Sequence, residues 1–269
     1  MAFDSGALVV AADGIWISGD GGARFSASGL SAPAVTALAT HPDRPGLICA
    51  AQEAIGLTMS ADGGKTWRGI GGALPPAPID AMAIAAQDPA LFYVAVRGDG
   101  LWQSKDSGES WEFAMDRPFQ EQAERDVLAL ASVSSPSGMG GIWVFAGTEL
   151  GVIKVPDCFC RWQEIGNDGA MDSLVSGQAA LPALRLPREP ARSLVLAPSV
   201  PNVLFAGLPS GIWRTDDTGE TWRLLTDALA SPVLAVDPLE PSHIVAATTD
   251  GAILSSRDGG LNWAAPAAI

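Results

Sequence analysis

Aspartate is the residue with the most obvious chemical potential in this sequence, because it recurs within one motif. The motif reads Ser/Thr-x-Asp-x-Gly-x-x-Trp, and its aspartates are Asp20, Asp62, Asp106, Asp157, Asp217 and Asp258. A carboxylate can act as a general acid, a general base or a cation ligand. Six copies cannot all serve one active site, so we predict a structural role, in which each carboxylate accepts hydrogen bonds from backbone N–H groups of its own turn.

An aromatic residue ends each copy of the motif. The first copy, residues 18–25, ends in phenylalanine, and the others end in Trp67, Trp111, Trp162, Trp222 and Trp263. The copy at residues 155–162 is degenerate and keeps only Asp157 and Trp162. We expect each indole ring to hold its hairpin against the protein interior.

Cysteine and histidine offer little further chemistry. Cys158 and Cys160 lie on either side of Phe159, and two thiolates could begin a zinc site. Zinc needs four ligands, usually from cysteine or histidine, and we expect His41 and His243 at the surface, in turns elsewhere in the chain. We therefore predict no metal site and no cofactor. The odd number of cysteines, three, favours a reducing compartment, which predicts a cytoplasmic protein.

Charge and composition exclude some classes of partner. The chain has 16 basic and 30 acidic residues, a formal net charge of −14, and no basic cluster. Nucleic acids and anionic membranes are therefore excluded as predicted partners. No segment resembles a membrane span or an export signal. The 30 glycines and 20 prolines indicate many tight turns.

The spacing of the motif predicts the architecture. Successive aspartates lie 42, 44, 51, 60 and 41 residues apart, close to the ~40–50 residues of a four-stranded propeller blade. We predict an all-β protein, in which residues 1–269 form a single six-bladed β-propeller of four-stranded antiparallel blades. The two long intervals predict insertions between blades, at about residues 115–127 and 164–192.

The motif and its period resemble the Asp-box, or BNR, repeats of sialidases, sortilin-type receptors and photosystem assembly-factor propellers. The resemblance covers essentially the whole chain. It implies that each motif lies on the hairpin between the third and fourth strands of its blade. It also implies that ligands bind on the opposite face, around the mouth of the central channel.

The first blade is the one place where the strand count does not close. Its first clear strand, residues 7–10, has the character of a second strand. We predict that this blade has three strands or is completed by a partner's strand, with residues 1–3 folding in as the other alternative.

Two sets of residues are candidates for binding at the predicted mouth. The first is a largely acidic rim suited to a cation, a small ligand or a basic peptide, and it contains Asp13, Glu53, Arg97, Asp99, Glu149 and Asp250. An alternative explanation is turn chemistry, because Asp-Gly is favoured in two-residue hairpins. The second set is a partner surface on the two insertions, with Arg117, Phe119, Arg125, Met171, Arg185 and Arg188.

Enzymatic function is disfavoured by what the motifs lack. The resemblance to sialidases implies three arginines, a Phe/Tyr-Arg-Ile-Pro segment and a tyrosine nucleophile, but the only tyrosine, Tyr93, lies in a predicted core strand. No catalytic residue is predicted, and we predict a non-catalytic scaffold or assembly subunit that binds other protein subunits. The alternative is a glycoside hydrolase, or a propeller that binds a glycan or metabolite, with an acidic mouth that includes Glu53 and Glu149.

Overall fold

The computed structural model describes residues 1–4, 6–30, 34–53, 56–134, 141–165 and 185–265. These residues form strands and turns, and no helix occurs among them. Six small antiparallel sheets follow one another along the chain and surround a central channel. The predicted all-β, six-bladed propeller is confirmed. The described residues contain no helix that could span a membrane.

The first three blades each contain four strands in chain order, with the first strand innermost. Blade one consists of β1 (Ala2–Asp4), β2 (Ala7–Ala11), β3 (Ile15–Ser18) and β4 (Ser26–Ala27). Blade two consists of β5 (Val35–Thr40), β6 (Ile48–Gln52), β7 (Gly56–Ser60) and β8 (Arg68–Gly69). Blade three consists of β9 (Ile79–Ala85), β10 (Asp88–Val96), β11 (Gly100–Ser104) and β12 (Glu112–Asp116).

The second half of the ring begins with a small hairpin made of β13 (Phe119–Gln120) and β14 (Ala123–Glu124). Blade four consists of β15 (Ala129–Ser134), β16 (Ile142–Thr148), β17 (Gly151–Pro156) and β18 (Gln163–Glu164). Blade five consists of β19 (Ser193–Leu196), β20 (Leu204–Leu208), β21 (Gly211–Thr215) and β22 (Arg223–Thr226). Blade six consists of β23 (Val233–Val236), β24 (Ile244–Ala247) and β25 (Ile253–Ser256).

Of the alternatives predicted for the first blade, the structure shows the one in which residues 1–3 fold in, and the blade has four strands and not three. β1 pairs antiparallel with β2, and Phe3 lies opposite Leu8. Phe3 is buried in a cluster with Leu8, Ala235 and Val245, so this short segment gains apolar burial by acting as the innermost strand. The three-stranded sheet is instead in blade six, where an isolated bridge between Ser255 and Ala264 takes the place of a fourth strand.

Small side chains on the innermost strands form the wall of the central channel. Ala81 and Ala83 of β9 and Ala129 and Ala131 of β15 line a cavity of about 270 Å³ there. Larger apolar side chains fill the spaces between neighbouring blades, for example Phe92 and Val94 of blade three against blade two. The ring therefore has a separate core between each pair of neighbouring blades and a narrow channel along its axis.

Candidate functional site

The motif hairpins bind their own carboxylates. In blade two, the hydroxyl of Ser60 donates to Oδ1 of Asp62 at 2.8 Å and accepts the N–H of Gly64 at 2.8 Å. The same Oδ1 accepts the N–H of Thr66 at 2.9 Å, and Oδ2 accepts the Thr66 hydroxyl at 2.6 Å. Corresponding bonds from the serine or threonine hydroxyl occur at Asp20, Asp106, Asp217 and Asp258.

These hydrogen bonds keep the motif carboxylates ionised. The hydroxyl of Thr66 lowers the pKa of Asp62 to about 2, and the hydroxyl of Ser110 does the same for Asp106. The side-chain amide of Asn262 lowers the pKa of Asp258 to about 2. Groups with such low pKa values are poor proton donors and poor general bases near neutral pH. Their geometry fits hairpin closure.

The tryptophans of the motif make two kinds of contact. The indole N–H groups of Trp67, Trp222 and Trp263 donate to the motif glycine carbonyls of their own hairpins, each at 3.0 Å. Trp111 instead donates to the carbonyl of Ile70 at 2.7 Å, and Trp162 donates to that of Asp116 at 3.0 Å. Because Ile70 and Asp116 belong to preceding blades, these two indoles join neighbouring blades.

The degenerate copy in blade four is closed differently. Val155 replaces the hydroxyl residue, and Cys158 and Cys160 are bonded to each other in a disulfide. Phe159 between them packs its ring edge-on against Tyr93, with 5.9 Å between ring centroids. The two sulfurs are therefore engaged with each other, and the aromatic residue ties the turn to blade three.

Several of the predicted rim residues bind groups of their own turns. Asp13 accepts the indole N–H of Trp16 at 3.1 Å, and Asp99 accepts that of Trp102 at 2.6 Å. The hydroxyl of Thr248 bonds to Asp250 and lowers the pKa of its carboxyl. Glu53 is exposed. These carboxylates are dispersed among separate turns.

A cavity of about 550 Å³ opens at the end of the channel where the innermost strands begin. Among the predicted candidates it brings together Arg97, Arg125 and Glu149. It also contains residues outside the predicted rim and partner-surface sets, namely Thr36, Asp80, Glu124, Asp126, Leu128 and Arg192. Four of these residues also line the channel, namely Thr36, Asp80, Leu128 and Arg192.

The charges at this mouth are largely paired. The guanidinium of Arg97 contacts both carboxylate oxygens of Asp80, with Nε at 3.0 Å from each. Arg117 pairs with Glu124 and, at 3.2 Å, with Asp126. The buried Nε of Arg125 has no hydrogen-bond partner among the described residues. The mouth is therefore a mixed-charge surface and not an acidic ring.

The first insertion and the described residues 185–192 of the second meet beside this mouth. Gln120 of the β13–β14 hairpin accepts the hydroxyl of buried Thr148 at 2.9 Å, which fixes the hairpin to blade four. Arg188 of the second insertion forms an ion pair with Glu121 of the hairpin. Phe119 at the start of β13 is 70% exposed. Arg185 is also exposed, and Met171 lies outside the described residues.

Both histidines are buried, contrary to our expectation of surface positions. His41 is 2% exposed and contacts the carbonyl of Ala85 through Nε2 at 3.0 Å. His243 is 4% exposed and lies between Asp237 and Ser255. This second arrangement could not be predicted from the sequence, because its members are separated by up to 18 positions and form no motif considered above.

Comparisons with known proteins support the fold. No family model and no curated protein matches the sequence. An ancestral GH74 enzyme matches at TM-score 0.59 and 16% identity, covering 94% of this chain and 35% of that one. The GH74 xyloglucanase from Xanthomonas campestris matches at TM-score 0.59 and 16% identity, covering 96% of this chain and 51% of that one. YCF48 from Cyanidioschyzon merolae matches at TM-score 0.53 and 15% identity, covering 96% of this chain and 80% of that one.

A further structure, described as YCF48 bound to D1 peptide, matches at TM-score 0.50 and 17% identity, covering 93% of this chain and 74% of that one. The chain spans only about a third to a half of the two GH74 enzymes. At these identities the likeness shows the propeller fold alone.

Proposed function

We propose that this propeller is a non-catalytic scaffold or accessory subunit of a larger complex, and that it binds protein partners on the face formed by the two insertions. The observation that carries the proposal is the joining of the insertions: the ion pair of Arg188 with Glu121 unites two separate segments into one surface. That surface presents Phe119, an exposed aromatic residue of the type enriched in protein interfaces. A peptide-bound YCF48 is among the similar structures, which supports a peptide or protein partner.

We further infer that the repeats are Asp boxes of the BNR type. Five copies share one set of hydrogen bonds around the aspartate, and this supports a common structural role. Under this proposal the motif residues stabilise the blades, while partner binding falls to the opposite face.

Affinity purification of the tagged chain from its native cell tests the scaffold proposal. We expect stoichiometric protein partners, and we expect Phe119→Ser and Arg188→Glu to release them without lowering the melting temperature. Leu239→Ser is a matched control, because Leu239 is 72% exposed but lies in the β23–β24 turn, at the other end of the blades. Loss of the same partners from Leu239→Ser, or their full retention by both insertion variants, would contradict the proposal.

A glycoside hydrolase is the second candidate, favoured by the likeness to GH74 enzymes. Glu53 and Glu149 are two exposed carboxylates of the predicted rim that could take acid and base roles. Tyr93 is unsuited to a nucleophilic role, because it is fully buried and its burial raises the pKa of the phenol. Release of reducing sugar from xyloglucan, lost in Glu53→Gln or Glu149→Gln, would favour this candidate over the scaffold.

A further inference from the structure

Three side chains of blade six have the connectivity of a nucleophile, a general base and an orienting carboxylate. Nε2 of His243 lies 3.1 Å from the hydroxyl oxygen of Ser255. Nδ1 of the same ring lies 3.2 Å from Oδ2 of Asp237. When the Nδ1 proton faces Asp237, Nε2 is the basic nitrogen and accepts the serine proton.

Asp237 is held in place by the turn between β23 and β24. Its Oδ1 accepts the N–H of Leu239 at 2.9 Å and that of Glu240 at 3.4 Å, which leaves Oδ2 for the imidazole. The N–H of Asp237 donates to the carbonyl of His243 at 3.0 Å and closes the turn. The carboxylate and the ring therefore keep a fixed relative position.

Burial decreases from the carboxylate and imidazole towards the serine. Asp237 is 7% exposed and His243 is 4% exposed, whereas Ser255 is only partly buried. The ring of Phe3 packs edge-on against the imidazole, with 5.4 Å between centroids. This exclusion of water strengthens the contact between Asp237 and His243.

The other blades show that the fold does not require these residue types. The same turn in blade two has His41 in place of Asp237 and Leu47 in place of His243. The two turns match in backbone geometry, because the N–H of Leu47 donates to the carbonyl of Arg44 and the N–H of His243 donates to the carbonyl of Glu240. The residue before the motif hydroxyl, which is Ser255 in blade six, is Met59 in blade two. Blade five has Ala197, Val203 and Arg214 at the three positions. Among these three matching turns, only blade six combines an acid, a histidine and a serine.

The serine and the histidine also face a cavity. A space of about 450 Å³ between the motif hairpins of blades one and six is lined by His243 and Ser255, together with Arg257, Asn262 and the motif carboxylates of Asp20 and Asp258. Asp237 does not line this space. A small ligand can therefore contact the hydroxyl and the imidazole while the carboxylate stays behind them. Nη1 of Arg257 is paired with Glu240 at 2.9 Å, and the other guanidinium N–H groups can face negative charge that develops on a bound carbonyl oxygen.

We propose that Ser255 and His243 form a serine-nucleophile site for carboxylic esters with short acyl groups, and that Asp237 is its positioning residue. The serine oxygen attacks the ester carbonyl while its proton moves to Nε2 of His243. The bond to the alcohol oxygen then breaks, and the alcohol leaves with that proton. Water attacks the acyl-serine, gives a proton to Nε2, and releases the acid as the serine oxygen regains the proton. The site goes beyond the proposed scaffold function and lies at the other end of the blades.

Labelling of the purified full chain with a fluorophosphonate, followed by peptide mapping, tests the site directly. We expect one adduct, on Ser255, and none on Ser255→Ala. Ser242→Ala is the matched control, because Ser242 is an exposed serine in the adjacent turn. Absence of labelling, or labelling that persists in Ser255→Ala, would overturn the proposal.

Hydrolysis of p-nitrophenyl acetate gives the second measurement. We expect His243→Gln to lower the serine-dependent rate by roughly 100-fold or more, with the melting temperature measured alongside to verify folding. Asp237→Asn should lower kcat while KM and the melting temperature stay unchanged, a split that a merely structural carboxylate would not produce. A rate equal to wild type in Ser255→Ala, or an unchanged kcat in Asp237→Asn, contradicts the proposal.

Discussion

The carboxylates of Asp62, Asp106 and Asp258 show how a residue with catalytic potential becomes a structural one. Each accepts hydrogen bonds from a side chain and a backbone N–H four positions later. Those donors lower the pKa of each carboxyl to about 2. The aspartates thus stabilise the hairpins only while they are ionised.

This linkage predicts acid sensitivity. The folded-state pKa of about 2 is lower than the ordinary value of about 3.9, so the stabilisation is present above about pH 4 and is lost as the pH falls towards 2. Asp62→Asn removes one titrating group and should flatten the decline of melting temperature over this range. Thermal melts at pH 2 to 7 measure the effect, with Asp43→Asn as a control outside the motif. If the melting temperatures of Asp62→Asn and wild type declined equally between pH 4 and pH 2, the argument would be contradicted.

At the scale of elements, links between blades depend on close backbone contacts. Gly147, near the end of β16, packs against the segment that leads to β19. A Cβ added at this position would lie 2.0 Å from the carbonyl oxygen of Ala191. Glycine is required here by the close approach of two backbones, which any side chain would force apart.

Gly147→Ala should therefore lower the free energy of unfolding by about 1–3 kcal/mol, because the overpacking displaces the link to blade five. Urea denaturation measures the change. Gly72→Ala is the matched control, since a Cβ added at Gly72 has no atom within 4 Å. Equal urea midpoints for the two variants would show that the segment carrying Ala191 can move away from a side chain at position 147 without a loss of unfolding free energy.

The range of each interaction explains what could be predicted from the sequence. The motif hairpins could be located because their hydrogen bonds join residues two to four positions apart. The pairing at the mouth could not, because Arg97 and Asp80 are 17 positions apart and Arg188 and Glu121 are 67 apart. A regular repeat therefore fixed the number of blades, while the candidate sites depend on contacts that only the closed ring creates.

At the scale of the whole molecule, blades one and six close the ring by side-chain packing. Each described sheet is built from consecutive strands, so no sheet combines strands from the two ends of the chain. The contact depends on Phe3 and Leu8 of blade one and on Ala235 and Val245 of blade six. Phe3 supplies the largest side chain of this buried cluster.

Phe3→Ala should accordingly weaken the contact between blades one and six and lower the free energy of unfolding more than substitution of an exposed aromatic residue does. Removal of this buried ring leaves a cavity and costs about 3–5 kcal/mol of unfolding free energy, whereas Phe113→Ala, at a site that is 47% exposed, should cost much less. Urea denaturation gives the free energies, and amide hydrogen exchange should show faster exchange in β1 and β23 than elsewhere. Equal effects of the two substitutions, or exchange that increases uniformly around the ring, would mean that closure depends on other contacts.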